Sequence, residues 1–298
     1  MTQKPKILAI VGPSSTGKSN LAVELAEKFG GEIISADSRY IYKYVDIAAA
    51  KPTESEKRGI PHHLIDICDV TEDYSVGVFV KDADKLIKTI SKKGKLPIVT
   101  GGTGLYFRSL KGTFDIPEVA ADKEFRAAAE NISNEELYSE LLQKSPEMAA
   151  KIHPNNKVKI VRALEIVRSG AKLQSKECPY DILWIGLNAK NRQFLYDRAD
   201  LRVEKMLDDG LLDEAKSIFE KYGQNKILMN TIGIKELYDV VKNGADIEFA
   251  KEEIKKNTRH YIKRQISWFN TEKDINWLYI DEDDVSAKAT ALVKSFIL

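Results

Sequence analysis

The amino-terminal stretch decides the fold: an apolar run, Lys6-Ile-Leu-Ala-Ile-Val11, leads directly into Gly12-Pro-Ser-Ser-Thr-Gly-Lys-Ser19. A short β-branched run entering a glycine-rich turn is typical of a buried strand that ends in a loop. Beyond the loop, Leu21, Leu25 and Phe29 recur every four residues, as the buried face of a helix does. This order of strand, loop and helix predicts one unit of a parallel sheet covered by helices.

The loop has the chemistry of a phosphate site. Gly12-x-x-x-x-Gly17-Lys18-Ser19 matches the phosphate-loop pattern at each fixed position. Backbone N–H groups and the start of the following helix attract anions, Lys18 reaches outer phosphates, and the Ser19 hydroxyl suits Mg²⁺. We therefore predict a phosphate ligand, most commonly ATP although any diphosphate would fit, with Mg²⁺ as cofactor and Ser19 as its ligand, on the residues Gly12, Pro13, Ser14, Ser15, Thr16, Gly17, Lys18 and Ser19. The pattern leaves open which phosphate compound is bound.

Further apolar runs extend the sheet. They predict strands at Glu32–Ser35, Pro97–Thr100, Ile182–Leu187 and Trp277–Ile280, and a helix after Ser75. Between Val119 and Gly170 the patterns are helical and contain no convincing strand. We predict an α/β fold: a P-loop NTPase-like parallel sheet with helices on both faces, and a helical insertion domain. The catalytic core is expected to comprise residues 1–112 and 183–298, and the insertion residues 113–182.

Composition excludes several classes of protein. The chain has 298 residues, with 46 Lys and Arg against 45 Asp and Glu, for a formal charge of +1. Two cysteines cannot form a disulfide framework, and the apolar runs are too short to cross a bilayer. We expect a cytoplasmic monomer without a membrane partner. The balanced charge neither predicts nor excludes RNA binding, because a local basic surface matters more than the sum.

An acidic residue ends the second predicted strand, in Ser35-Ala36-Asp37-Ser38. Ligands bind at the carboxyl ends of parallel strands, so Asp37 is expected near the phosphate loop. It could orient a water, act as a general base, help to hold magnesium, or simply cap a turn. The third predicted strand ends in Thr100-Gly-Gly-Thr-Gly-Leu-Tyr106 rather than in the metal aspartate of ATP hydrolases. That loop suits a second substrate better than ATP hydrolysis.

A wider set of motifs carries a family resemblance. It includes Gly12–Ser19, Ile33–Ser38, Ala50–Thr53, Pro61–Asp66, Gly94–Val99, Gly101–Tyr106, His153–Asn155, Arg162–Glu165 and Lys263–Phe269. In this order, over about residues 6–280, they resemble the tRNA dimethylallyltransferases, also called tRNA isopentenyltransferases or the IPP transferase family. The phosphate loop alone would not identify the family, whereas the combination is highly specific.

The resemblance implies an unusual use of the loop, which would hold the pyrophosphate of dimethylallyl pyrophosphate instead of ATP. The N6 amine of the adenosine at tRNA position 37, next to the anticodon, would attack the allylic carbon and release pyrophosphate. By resemblance the catalytic residues are Asp37 as proton acceptor, Thr103 beside the target nucleotide, and Lys18 and Arg202 on the pyrophosphate. Arg198 would join the loop in binding the donor, with Arg202 favoured as the direct contact.

The implied partner is the anticodon stem-loop of tRNA, contacted by Asp37, Ser38, Arg39, Tyr40, Thr103, Arg126, Lys159, Arg162, Arg259, Lys263, Arg264 and Gln265. The residues give partial support, because Lys251, Lys255, Arg259 and Lys263 recur every four positions. Such a basic stripe on a helix is either a track for backbone phosphates or a solvated surface. Ile247, Ile254, Tyr261 and Trp268 recur every seven positions and are expected to face inward.

Three other functions stay open from sequence. An adenylate isopentenyltransferase of the cytokinin type, acting on AMP, ADP or ATP, would share the loop and Asp37 without needing the insertion or the basic stripe. A small-molecule P-loop kinase could use Asp37 as base toward a hydroxyl. A tRNA-binding protein with a vestigial phosphate loop would leave Asp37 without a purpose.

Overall fold

The computed structural model describes residues 4–112, 119–171 and 177–298. The chain divides into two compact units, one formed by residues 1–111 and 178–298, the other by residues 112–177. These bounds compare with a predicted insertion at 113–182, whose first residue lies outside the described ones.

Six parallel strands form the sheet of the first unit: β1 (Lys6–Val11), β2 (Gly31–Ser35), β3 (His62–His63), β4 (Leu96–Gly101), β5 (Asp181–Asn188) and β6 (Asn276–Tyr279). Their spatial order is β3-β2-β4-β1-β5-β6, and each pair of neighbours is parallel. The predicted α/β fold with a parallel sheet is thereby confirmed. Strand β3 was not predicted, since two residues carry no readable periodicity.

The described residues form fourteen α-helices. They are α1 (Lys18–Phe29), α2 (Asp46–Ala49), α3 (Glu54–Lys57), α4 (Val76–Lys92), α5 (Gly104–Leu110), α6 (Lys123–Glu130), α7 (Asn134–Lys144), α8 (Pro146–Ala149), α9 (Lys157–Arg168), α10 (Arg192–Asp208), α11 (Leu211–Tyr222), α12 (Tyr238–Asn243), α13 (Ile247–Phe269) and α14 (Val285–Ile297). Within this part of the chain, none has the length and apolar character required to span a bilayer.

Helices cover both faces of the sheet. Alternate residues of β1 point to opposite faces and therefore join different core clusters. Ile7 and Val11 join a core cluster that includes Phe79 of α4 and Phe219 of α11. Leu8 and Ile10, between them, join a second cluster with residues of α1 and α14. The carboxyl ends of the central strands are therefore held rigidly between two helical layers.

The second unit contains helices α6 to α9 around a core of its own. Phe125, Leu137, Leu141, Ile160 and Leu164 are buried there together. Helix α7 begins with a capping box, in which the Ser133 hydroxyl accepts from the Glu136 N–H and the Glu136 carboxylate accepts from Ser133 N–H. Residues 119–171 contain no strand, consistent with their helical sequence patterns.

Candidate active site

A cavity of about 520 Å³ opens at the carboxyl ends of β1, β2 and β4. Its lining brings together residues that are far apart in sequence: Ser14, Lys18, Ser19, Asp37, Tyr40, Thr100, Arg198, Arg202 and Gln265. Ala49, Ala50 and Pro52 add an apolar wall. The cavity thus combines cations and hydroxyls at one place with a carboxylate and an apolar surface, as a site for an amphiphilic ligand requires.

Side chains of the phosphate loop donate hydrogen bonds to a carbonyl oxygen of the same loop. Pro13 O accepts hydrogen bonds from Thr16 Oγ1 at 2.9 Å and from Lys18 Nζ at 2.6 Å. Gly17, with φ of +84°, makes the turn into α1 in a conformation that side chains disfavour. Ser15 also has a positive φ, of 65°, and its buried Oγ has no hydrogen-bond partner among the described residues. A loop with such an unsatisfied hydroxyl is prepared for a ligand that supplies the missing bond.

Lys18 is the central cation of the cavity. Burial lowers the pKa of its ammonium from 10.5 to about 7; the nearby Asp37 carboxylate opposes this shift and the Arg202 guanidinium adds to it. The charged form of Lys18 is therefore poorly stabilised without an anion. A pyrophosphate in the cavity would supply a negative charge that stabilises the ammonium in place of the water it has lost.

Asp37 follows β2 and is tied to the loop after β4. Its Oδ1 accepts from Arg39 N–H at 2.8 Å, while Oδ2 has no hydrogen-bond partner in the part of the chain described. The neighbouring Ser38 N–H donates to Thr103 Oγ1 at 3.0 Å, and Thr103 N–H donates to Ala36 O at 3.2 Å. The two loops that carry Asp37 and Thr103 are thus fastened together, and one oxygen of the Asp37 carboxylate stays without a hydrogen bond among the described residues.

The two candidate arginines occupy different places. Arg198 is exposed at the cavity, and its Nε donates to Ser15 O at 2.9 Å, which braces the phosphate loop. Arg202 is half-buried near Tyr40 and Asp37; its loss of hydration lowers its pKa, and these two neighbours oppose the shift. Arg202 also lines the cavity, and its contact with a bound ligand stays a prediction.

Tyr40 forms part of the wall. Its hydroxyl donates to Ala50 O at 2.6 Å. Burial raises the pKa of this hydroxyl, and the Asp37 carboxylate raises it further, so it stays neutral. Tyr40 is accordingly fixed to the segment that carries the apolar wall.

Helix α13 enters the site from its inner side. Gln265 is only 4% exposed, and both ends of its amide are bonded within the protein, a role that the predicted RNA contact did not foresee. Tyr261, one turn earlier, lies near Asp37: burial raises the pKa of its hydroxyl, the Asp37 carboxylate adds to this, and a hydrogen bond with the Thr103 side chain opposes it. The spacing of seven residues from Ile254 was the signal that placed Tyr261 inward, but nothing in the sequence connected it to Asp37.

The basic stripe of α13 is largely neutralised by α10. Lys255 pairs with Glu204 at 2.5 Å, Lys251 with Glu204 at 3.6 Å, and Arg259 with Asp200 at 2.6 Å. Lys263 has no ion pair among the described residues and is exposed, as is Arg264. The expected track for phosphates is therefore reduced to its carboxyl-terminal end.

In the second unit, the predicted RNA-contacting arginines share one buried carboxylate. Glu165, 3% exposed, accepts from Arg126 Nε at 2.7 Å, from Arg162 Nη1 at 2.9 Å and from Asp122 N–H at 3.0 Å. Lys159, on the same helix as Arg162, is exposed. These cations belong to one helical surface within this unit.

Comparison with known proteins gives consistent matches. The family model described as IPP transferase matches residues 40–272. A tRNA dimethylallyltransferase of Caldanaerobacter subterraneus is 42% identical over 294 residues, covering 93% of this chain and 92% of the relative. The solved structure of a full-length tRNA isopentenylpyrophosphate transferase from Bacillus halodurans has a TM-score of 0.74 and 36% identity, covering 98% of each chain. A eukaryotic dimethylallyltransferase solved while acting on tRNA has a TM-score of 0.84 and 30% identity, covering 98% of this chain and 79% of its own.

Proposed function

The chain belongs to the IPP transferase family, the tRNA dimethylallyltransferases, and we propose that it transfers the dimethylallyl group of dimethylallyl pyrophosphate to N6 of adenosine 37 in tRNA. The observation that carries this proposal is the shared cavity: the phosphate loop and Asp37 line one space, and Thr103 accepts a hydrogen bond from Ser38, next to Asp37. A leaving group and a nucleophile must meet there, which a binding protein with a vestigial loop would not need.

The donor's pyrophosphate is expected to lie on the phosphate loop. The loop amides, Lys18 and Arg202 would neutralise the charge that builds up on pyrophosphate as the bond between C1 and oxygen breaks. Because these groups are already fixed around the cavity, little rearrangement is needed when the charge develops. The apolar wall at Ala49, Ala50 and Pro52 offers a surface for the five-carbon group.

The residues present also fit Mg²⁺. Ser19 lines the cavity together with the carboxylates Asp37 and Glu56, which are the hard oxygen donors that this ion prefers. The described residues contain no cluster of three or more acidic, His or Cys ligands for a metal ion. Magnesium is commonly held by one or two protein groups with the rest supplied by phosphate and water, so Ser19 is the expected ligand. When bound, Mg²⁺ would help to neutralise the leaving pyrophosphate.

Asp37 is the proposed base. The exocyclic amine of adenine is a weak nucleophile, because its lone pair is delocalised into the ring. As N6 forms its bond to the allylic C1, the C1–oxygen electron pair leaves with pyrophosphate and the N6 proton passes to Asp37 Oδ2. Thr103, which accepts from Ser38 N–H, keeps the base loop in place beside the adenine. Removal of a proton by a positioned carboxylate is worth about 10²–10⁴-fold in rate.

We propose contacts to the anticodon stem-loop on five cations, which are exposed except for the half-buried Arg162. Arg126, Lys159 and Arg162 supply them in the second unit, and Lys263 and Arg264 in α13. Ser38 and Arg39 follow Asp37 in the chain and would contact the adenosine that is turned out of the anticodon loop. Enzymes that act on a base in RNA take it out of its stack, and unpaired loop bases are the most accessible for this.

The test is one incubation series with labelled dimethylallyl pyrophosphate and total tRNA, AMP or ATP, each with and without Mg²⁺. Label in tRNA at the adenosine next to the anticodon, dependent on Mg²⁺, is the expected outcome. Label in AMP or ATP but not in tRNA would assign the acceptor to free adenylate. Transfer of phosphate from ATP without any prenyl transfer would indicate a kinase.

A further inference from the structure

Gln265 connects two loops of the cavity through opposite ends of its side chain. Its Oε1 accepts from Ser14 N–H at 2.9 Å and lies 3.3 Å from Ser14 Oγ, both in the phosphate loop. Its Nε2 donates to Gly102 O at 3.0 Å, in the loop that follows β4. A buried amide with both ends satisfied is a rigid spacer, because breaking either bond leaves a polar group unpaired.

The fit around Gly102 shows how closely the spacer is held. A Cβ built on Gly102 would lie 2.1 Å from Gln265 Nε2, so any side chain at this position displaces the amide. The next residue, Thr103, bonds to Ala36 O and receives Ser38 N–H, and both of these flank Asp37. A continuous series of hydrogen bonds therefore runs from the phosphate loop through Gln265 and Thr103 to the loop of the base.

We propose that Gln265 is a positioning residue that fixes the distance between the donor's leaving group on the phosphate loop and the proton acceptor at Asp37. This inference rests on the proposed function. It adds a residue that holds both the phosphate loop and the loop after β4, and that acts on the reaction through these two loops. The reaction requires the allylic carbon and the amine within about 3–3.5 Å, and a displacement of about 1 Å can cost on the order of 10²-fold in rate.

Its neighbours on α13 separate this role from RNA contact. Lys263 and Arg264 are exposed, whereas Gln265 is buried against the loops. Successive residues of a helix point about 100° apart, so α13 presents its cations outward and its amide inward. The helix proposed to bind tRNA is thus the same helix that sets the geometry of the cavity.

The experiment compares Gln265→Met, which keeps the length of the side chain but removes both bonds, with Lys263→Ala as the matched control on the same helix. Donor affinity is measured by titrating dimethylallyl pyrophosphate and Mg²⁺ without tRNA, and tRNA affinity without donor. For Gln265→Met we expect kcat to fall about 10- to 100-fold and donor affinity to weaken, with tRNA affinity within about twofold of the wild type. Lys263→Ala should instead weaken tRNA binding and leave donor affinity unchanged.

A second variant breaks the same bridge from its other side. Gly102→Ala should displace the amide without altering Gln265 itself and should reproduce the loss in kcat. Since both changes remove one connection, the double variant should lose much less than the product of the two single losses. If Gln265→Met folds poorly, Gly102→Ala still allows the proposal to be tested.

Two results would overturn the inference. One is a Gln265→Met enzyme that loses tRNA affinity but keeps wild-type donor affinity and kcat, which would make Gln265 an RNA contact. The other is full multiplicativity of Gly102→Ala and Gln265→Met, which would show independent effects. Failure of the wild-type enzyme to prenylate tRNA would refute the proposed function instead, so the two failures are distinguishable.

Discussion

The cavity of the first unit and the cluster of Arg126, Arg162 and Glu165 in the second differ in whether their buried polar atoms have hydrogen-bond partners. In the cavity region, Ser15 Oγ and Thr100 Oγ1 are buried without a partner among the described residues, and burial lowers the pKa of Lys18 to about 7. In the second unit, Glu165 is equally buried but accepts hydrogen bonds from Arg126, Arg162 and the Asp122 N–H. Unsatisfied groups gathered around a space indicate a site completed by its ligand, whereas a satisfied network indicates a finished scaffold.

The largest effect is expected from Asp37→Asn. The amide keeps an oxygen for Arg39 N–H but cannot accept a proton, so prenyl transfer should fall by about 10²–10⁴-fold. Binding of donor and of tRNA, each measured alone, should stay close to the wild type. Transfer at the wild-type rate would remove Asp37 from the mechanism and require another proton acceptor.

Lys18→Ala should come next, with transfer reduced by about 10²–10³-fold, the usual cost of losing one donor that stabilises developing charge. Donor binding should weaken, because the cavity loses its central cation. Affinity for tRNA, measured by filter binding, should be largely preserved. Equal loss of donor and tRNA binding would mean that the loop serves the fold rather than the donor.

In the second unit, Glu165→Gln tests the satisfied network. The change leaves two arginines with fewer charged acceptors, and the free energy of unfolding should fall by about 1–3 kcal/mol. Urea denaturation of the full chain measures this, with Glu135→Gln, at an exposed position of α7, as control. A variant as stable as the wild type would show that the network does not hold this unit together.

The cavity should also respond to pH. Without ligand, Lys18 with a pKa of about 7 is charged below pH 7 and becomes neutral above it. Pyrophosphate binds the charged form, so donor affinity should fall as pH rises, by up to about tenfold per unit above pH 7, with proton uptake on binding. Calorimetry in buffers of different ionisation enthalpy detects this uptake. Lys18→Arg keeps its charge and should abolish the dependence; a persistent dependence would place the titration elsewhere.

The smallest effect on stability is expected from Thr100→Val, which removes an unpartnered hydroxyl at nearly constant volume. The free energy of unfolding should change by less than about 1 kcal/mol, because no hydrogen bond is lost. Donor affinity or kcat should nevertheless fall a few-fold if the hydroxyl bonds to a substrate. If Thr100→Val instead strongly lowered the free energy of unfolding and left the kinetics unchanged, the Thr100 hydroxyl would be a structural group like the Glu165 carboxylate.

Local signals in the sequence predicted much of this structure. The run Lys6–Val11 coincides with β1, and the serine at position 75 caps α4. Asp37 and Lys18 could be assigned to one cavity because parallel strands end at a common edge. Such patterns succeed because each depends on residues close together in the chain.

Partners from distant segments could not be predicted. The spacing of Lys251, Lys255 and Arg259 indicated a common helix face but not that Glu204 and Asp200 of α10 lie opposite. Gln265 fits the same account: its bonds to Ser14 and Gly102 cross 251 and 163 positions of sequence. A family motif marked the residue, but only the folded chain reveals what it touches.

The pairing of α13 with α10 has a consequence for how the enzyme turns over. Cations already matched to carboxylates release few counterions when a polyanion arrives, so Lys251, Lys255 and Arg259 should add little to the salt dependence of tRNA binding, which then falls to exposed cations such as Lys263 and Arg264. If the paired cations of α13 add little to the hold on tRNA, the modified product should dissociate from this helix more readily than from an unpaired basic track.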